Sequence, residues 1–422
     1  MAVWERFLTA TYPGTRMKKT IYLDNAATSF PKPPQVVEAM VHFMTEVGAN
    51  PGRSGHRLSI EAERIVQSAR ESLALLFNIP DPLRIIFTPN VTESLNLVFN
   101  GLLKRGDHVI TTGIEHNSVI RPLKYLEEIQ YISLSIARCD RHGFLDIDEI
   151  PRLLRTNTAL IVVNHASNVC GTLQNIKAVK MAAGEIPLLV DAAQTAGIIP
   201  IDVQAEGIDF LAFTGHKSLM GPQGIGGLYL SEGRKLEPFN RGGTGSESEN
   251  LRQPEFLPDA LESGTRNNVG IAGLGAAVDF ILSIGVEKIR EHEQVLTKML
   301  LDELHDVQGL TLYGPLKPEM QTATLSVTFD PVIPMETDDV LRGCGSINLA
   351  WLEEGPGLHE AADLLNTSYD ILVRTGLHCA PLAHQSLGTF PEGTLRLSIG
   401  YFNTPEDIER AAEALKSIAG EK

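Results

Sequence analysis

The sequence predicts an α/β protein in which a mostly parallel sheet, covered by helices on both faces, is joined to a smaller α+β domain. Three observations carry this. From about residue 34 to 280, short apolar runs alternate with helical patterns, as in a parallel sheet whose strands are buried on both sides. Two of those runs end on chemically useful residues. Ile186-Pro187-Leu188-Leu189-Val190 stops at Asp191, and Ile208-Asp209-Phe210-Leu211-Ala212-Phe213 stops at Thr214-Gly215-His216-Lys217. Open α/β sheets place their ligand groups at such carboxyl ends. Beyond about residue 280 the pattern turns to alternating apolar and polar positions, which predicts strands with one exposed face.

The elements follow in chain order. Residues 1–19 hold no continuous apolar segment and are expected to be an N-terminal extension rather than a signal peptide, with Met17 as an alternative start. Pro31, Pro33 and Pro34 interrupt regular structure, so residues 20–33 are expected to pack beside the small domain. Arg84-Ile85-Ile86-Phe87, His108-Val109-Ile110-Thr111, Ala159-Leu160-Ile161-Val162-Val163 and Gly224-Ile225-Gly226-Gly227-Leu228-Tyr229-Leu230 are the other strand runs of the large domain, placed over residues 34–280. A single long helix is expected over residues 271–304, bridging to a small domain formed by residues 20–33 and 281–422. Ala323-Thr324-Leu325-Ser326-Val327-Thr328-Phe329 and Thr394-Leu395-Arg396-Leu397-Ser398-Ile399 predict strands there. Thr404-Pro405-Glu406-Asp407 opens a last helix, with proline at its first position.

Bulk properties narrow the function classes. The chain has 422 residues, 43% hydrophobic and 21% charged, the balance of a soluble globular protein. A net charge of −16 argues against general nucleic-acid binding. No apolar run approaches membrane-spanning length. Cys139, Cys170, Cys344 and Cys379 share no zinc-type spacing, so no metal site is expected, and reduced thiols point to the cytoplasm.

Lys217 follows a buried-type strand and precedes Gly221-Pro222-Gln223-Gly224-Ile225-Gly226-Gly227, a turn that lets backbone approach a cofactor. Pyridoxal phosphate (PLP) needs such a lysine for its covalent attachment and an acid such as Asp191 for its ring nitrogen. An average lysine is a solvated surface residue, a reading the context of Lys217 disfavours, and Asp191 taken alone fits a helix cap at least as well. In Thr88-Pro89-Asn90-Val91-Thr92-Glu93-Ser94 a strand meets the helical run of residues 95–103, which suits phosphate; Thr92 equally fits a simple cap. His116, in Glu115-His116-Asn117-Ser118, is either a ring-stacking proton carrier or a loop histidine. Asn168, in Asn164-His165-Ala166-Ser167-Asn168-Val169-Cys170-Gly171-Thr172, is either a ligand to a ring oxygen or a turn asparagine.

Together these segments resemble the class V, fold type I PLP-dependent aminotransferase family, and within it the cysteine desulfurase and selenocysteine lyase branch. The likeness extends from about Ile21 to Ala419, starting at Tyr22-Leu23-Asp24-Asn25-Ala26-Ala27, and includes Arg53-Ser54-Gly55-His56-Arg57-Leu58-Ser59 as an active-site loop. It implies a mostly parallel seven-stranded sheet. By the resemblance Lys217 carries PLP, Asp191 pairs with the pyridine nitrogen, and Gln194 and Asn168 flank the ring hydroxyl. His116 stacks on the ring and moves protons, and Val91, Thr92, Thr214 and His216 line the phosphate. Thr265, in Glu262-Ser263-Gly264-Thr265, reaches the partner's phosphate in a homodimer.

The function is narrowed by Val373-Arg374-Thr375-Gly376-Leu377-His378-Cys379-Ala380-Pro381. A free cysteine is ordinarily a small buried hydrophobe, but basic neighbours favour the nucleophilic thiolate. The resemblance makes Cys379 the acceptor of a persulfide. It assigns substrate binding to Arg396, Arg374, Asn168 and His56, with Arg396 on the carboxylate. The substrate is then L-cysteine, converted to L-alanine, or L-selenocysteine; another class V lyase or aminotransferase is the alternative. Val91 and Leu377 stand where relatives often carry a hydroxyl residue or glycine and a histidine, respectively. The short cysteine loop points to the branch that often hands sulfur to a separate acceptor protein.

Overall fold

The computed structural model describes residues 20–52, 55–329 and 356–420. The extension over residues 1–19, Arg53, Ser54 and Cys344 therefore lie outside the described residues. The strands are β1 (Ile21–Tyr22), β2 (Ile85–Thr88), β3 (Asp107–Thr112), β4 (Ile132–Ala137), β5 (Thr158–Asn164), β6 (Leu188–Asp191), β7 (Phe210–Thr214), β8 (Gly226–Leu230), β9 (Leu310–Tyr313), β10 (Thr324–Phe329), β11 (Ile371–Leu372), β12 (Arg374–Gly376) and β13 (Thr394–Ser398).

Seven of them form one sheet in the order β2-β8-β7-β6-β5-β3-β4. Only β8 runs against its neighbours, β2 and β7; the other pairings are parallel. Every residue of β6, β7 and β8 is buried, which explains why these strands appear as unbroken apolar runs. On one face Ile161, Val163, Val190, Leu211 and Phe213 pack with Leu73, Phe77, Leu274 and Val278. The alternate residues Leu160, Val162, Leu189 and Phe210 pack on the other with Leu95, Phe99, Val119 and Leu123. Each such side chain contributes roughly 2 kcal/mol of burial. The two-sided core holds the carboxyl ends of β5, β6 and β7 in fixed register, with Asn164 opposite Asp191 and Asp191 opposite Ala212.

The second sheet has the order β12-β13-β10-β9, all antiparallel. Here the expected exposed face is corrected, because β13 is buried at every residue and β10 at its first four. Leu325, Val327, Leu395 and Leu397 face a core shared with Leu296, Leu300, Ile408 and Leu415. The polar alternates turn toward the large sheet, where Ser326 Oγ donates to the Val169 carbonyl at 2.7 Å and lies 2.9 Å from Thr394 Oγ1. The alternation was a true strand signal, but the polar face is covered by the loop after β5.

The single helix expected over residues 271–304 is also corrected. Two helices, Asn268–Ile284 and Val286–Leu304, meet at a 79° bend. Gly285 makes the corner with φ +95°, a left-handed conformation that side-chain-bearing residues rarely adopt. The first helix packs on Pro34–His42 and Arg57–Phe77, and the second on Pro405–Ile418. Among the described residues no single helix is long and apolar enough to cross a membrane. The segment after β1 lies against the small sheet: β1 pairs with β11, and the Asn25 and Ala26 amides donate to Ser398. At the last helix Thr404 and Asp407 form a capping box, with Pro405 at the first position.

Candidate active site

Lys217 lies just beyond β7. Burial of its amine pushes its pKa down to about 8, opposed by the Asp191 carboxylate and assisted by the Arg396 and Arg374 cations. Cys379 also acts electrostatically on it. These five groups, drawn from separate strands and loops, thus share one site. Asp191 ends β6, is 5% exposed, and accepts the Ala193 amide at 2.9 Å. Burial raises its pKa, and the Ala193 hydrogen bond and the Lys217 charge hold it back.

His116 caps the helix Asn117–Glu128, its Nδ1 accepting the Ser118 amide at 3.0 Å. That bond leaves the proton of the neutral ring on Nε2. Burial first, then Lys217, Arg121, Arg374 and Arg396, lower its pKa to about 4. Ser118 Oγ lies 2.8 Å from both His116 Nδ1 and Thr92 Oγ1, so Thr92 belongs to a chain that orients the imidazole. The cap of the helix Val91–Leu102 is Asn90 rather than Thr92. Val91 is the first residue of that helix and sends its side chain into the core, so only its backbone faces the turn.

Asn168 does more than a turn asparagine. Its Nδ2 donates to the His378 carbonyl at 2.7 Å, and its own carbonyl accepts Arg396 Nη1 at 2.9 Å. Arg396, 2% exposed on β13, also donates Nη2 to Asp24 Oδ1 at 2.6 Å. Arg374 stands opposite Arg396 in the β12–β13 register and is exposed. Gln194 Nε2 donates to the Ala26 carbonyl at 3.0 Å. His216 is lowered to about 4 by burial and by the Lys217 and Lys32 charges. Asn168 Oδ1, Thr214 Oγ1, His216 Nδ1 and Arg396 Nε are buried without a hydrogen-bond partner.

Cys379 follows β12 by three residues and, of the described cysteines, is the exposed one. His378 and Cys379 adopt φ +48° and +57°, two successive left-handed residues. Their carbonyls are held by Asn168 Nδ2 and by the Asn117 amide at 2.8 Å. Backbone strain of this kind persists where neighbouring contacts over-determine it. Cys170 is buried, and burial pushes the Cys139 thiol up to about 12.

Two candidates stand apart. His56 is exposed and caps the helix Arg57–Phe77 through the Ser59 amide. Thr265 is exposed beside Thr88, Pro89 and Asn267, in a cleft of about 300 Å³ that contains none of Lys217, Asp191 or Cys379. Sequence reasoning missed Asp24 on Arg396. It also missed Glu115, a fully buried carboxyl that accepts Thr112 Oγ1 at 2.6 Å and the Asn164 amide at 3.0 Å. Both lie in segments already singled out, but Arg396 and Asn164, which reveal them, are far along the chain.

A strand-end lysine, a buried acid on the neighbouring strand and a twice-anchored cysteine loop thus converge on one site. The chain belongs to the aminotransferase class-V family, whose model matches residues 21–411. It is 35% identical to a probable cysteine desulfurase of Methanothermobacter thermautotrophicus over 96% of each chain. It is 33% identical to a cysteine desulfurase of Yersinia pseudotuberculosis, over 94% of this chain and 93% of the other. Among solved structures it resembles the apo cysteine desulfurase of Thermococcus onnurineus, with TM-score 0.84, 32% identity and 96% of each chain covered. An Escherichia coli cysteine desulfurase in S-sulfonic acid form matches with TM-score 0.80, 26% identity and 98% coverage of each.

Proposed function

We propose that the chain is a PLP-dependent cysteine desulfurase that converts L-cysteine to L-alanine and receives the sulfur as a persulfide on Cys379. The observation that carries this reading is the exposed Cys379, pinned through His378 to Asn168 and acting electrostatically on Lys217. The residues fit PLP. Buried polar atoms left unpaired cost about 1–3 kcal/mol each, and those on Asn168, Thr214, His216 and Arg396 are ones that a ring hydroxyl, a phosphate and a carboxylate would satisfy. Lys217 would hold the cofactor, Asp191 its ring nitrogen, His116 its face, and Thr92, Thr214 and His216 its phosphate.

When bound, PLP supplies an electron sink for charge released at the substrate Cα. The chain supplies the rest. Arg396 holds the substrate carboxylate, with its Nη2 anchored on Asp24. The Lys217 amine, lowered to about 8, takes and returns the Cα proton near neutral pH. The Cys379 thiolate attacks the substrate sulfur; an S–S bond forms, the Cβ–S bond breaks, and the electron pair left on carbon is protonated to give the alanine methyl. His116 Nε2–H manages protons at the departing sulfur. The exposure of Cys379 supports hand-off to a separate acceptor protein, and the outlying position of Thr265 supports its use by the other subunit of a homodimer. The test measures alanine and sulfide from PLP-loaded protein given L-cysteine and reductant, and in a parallel reaction without reductant alkylates the protein and maps persulfide by mass spectrometry. Label on Cys379 is expected; label elsewhere, or alanine without persulfide, overturns the reading.

A further inference from the structure

One carbonyl next to Lys217 attracts far more donors than a peptide needs. The His216 oxygen, on the peptide bond leading into Lys217, accepts the Ser29 amide at 3.0 Å, Thr28 Oγ1 at 3.1 Å, Ser29 Oγ at 3.3 Å and Lys32 Nζ at 2.8 Å. A carbonyl has two lone pairs. Lys32 Nζ also donates to Ser29 Oγ at 2.8 Å, so the ammonium organises the hydroxyl as well as the carbonyl. Among the described residues no carboxylate acts on Lys32, and burial lowers its pKa to about 8. Partly buried, Lys32 places its ammonium on one backbone oxygen and one hydroxyl, so its position is set by that geometry.

The segment that presents Lys32 is itself rigid. Asp24 is paired with Arg396, the Ala26 amide donates to Ser398 Oγ at 2.9 Å, the Phe30 amide to Asn25 Oδ1 at 3.2 Å, and Tyr22 Oη to the Thr28 carbonyl at 2.9 Å. Residues 24–32 thus form a strap from the small sheet to the Lys217 peptide. We infer that Lys32 is a positioning residue for Lys217, clamping the His216–Lys217 peptide to this strap so that the lysine amine is presented at one fixed point. The inference rests on Lys217 being the residue that carries PLP. Misplacing a reacting group by about 1 Å costs on the order of 100-fold in rate, so loosening one end of a multiply held peptide should cost about tenfold.

The experiment compares wild type with Lys32→Met and Lys32→Arg. Full-length protein freed of PLP is mixed with PLP, and growth of the visible absorption is followed; borohydride then fixes the cofactor for peptide mapping. Lys32→Met should load about tenfold more slowly at an unchanged melting temperature, while Lys32→Arg, which keeps a charged donor, should load within about threefold of wild type. With L-cysteine the Met variant should lose kcat by about tenfold at a KM within about twofold, since Arg396 keeps its contacts. Should Lys32→Met not fold, Lys32→Gln gives the same comparison. Wild-type loading and kcat in the Met or Gln variant overturn the inference alone, whereas failure of wild type itself to fix PLP on Lys217 removes the functional reading beneath it.

Discussion

Asn168→Ala tests whether the cysteine loop is held for chemistry. The perturbation removes Nδ2 from the His378 carbonyl, one of two bonds that hold residues at φ +48° and +57°. Left-handed conformations cost side-chain-bearing residues about 1–2 kcal/mol each, so the loop stores roughly 2–4 kcal/mol. Losing the buried donor withdraws about 1–3 kcal/mol of restraint, comparable with that strain, and the loop relaxes away from its reactive position. If the barrier to sulfur attack rises by the same amount, persulfide formation slows roughly 5- to 150-fold. The Arg396 bond to Asn168 runs to the backbone carbonyl and survives the substitution. The assay is a single turnover with L-cysteine, in which the spectral change on substrate binding is timed separately from persulfide trapped on Cys379. The slowing should fall mainly on the second signal. Persulfide within about twofold of wild type, or a loss explained wholly by PLP release, refutes the reasoning.

Four further outcomes are expected. Cys379→Ala should bind PLP and substrate yet yield no persulfide, and an alkylating probe near neutral pH should label Cys379 ahead of buried Cys170 and of Cys139, whose thiol is pushed to about 12; equal labelling of the three counts against it. Asp191→Asn should keep part of its PLP and lose about 100-fold or more in turnover, because a neutral amide cannot hold a pyridinium; near-normal turnover removes Asp191 from the chemistry. Burial first, then the Asp191 charge against two hydrogen bonds, raises Glu115 from 4.5 to about 8. The folded state therefore keeps a proton that the unfolded state releases, its stability contribution is present below about pH 4.5 and lost as pH rises to about 8, and Glu115→Gln should flatten the decline in urea-measured stability by about 1 kcal/mol per pH unit; parallel pH profiles contradict this. Sedimentation should show a dimer as the active species, with Thr265→Ala weakening PLP retention; a fully active monomer excludes the shared site.

Much of this molecule is legible in the sequence because its signals are local. Burial on both faces writes β6 and β7 as continuous apolar runs, and the polar residue that ends each run must lie at the sheet's carboxyl edge, so Asp191 and Lys217 could be placed from the chain alone. Arg374 and Cys379 were legible as a motif within a few residues of each other. Other features depended on contacts between distant segments. The apolar periodicity of residues 271–304 continues across Gly285, and a glycine is compatible with a helix interior; packing of one half on Arg57–Phe77 and the other on Pro405–Ile418 sets the 79° bend. The polar face of β10 and β13 has the pattern of an exposed strand until the loop carrying Val169 covers it. Asp24 on Arg396, Asn168 on His378 and Lys32 on His216 join residues 372, 210 and 184 positions apart. Periodicity and propensity act over a few neighbouring residues, whereas a hydrogen bond between distant segments exists only once two separate cores have fixed where each backbone lies.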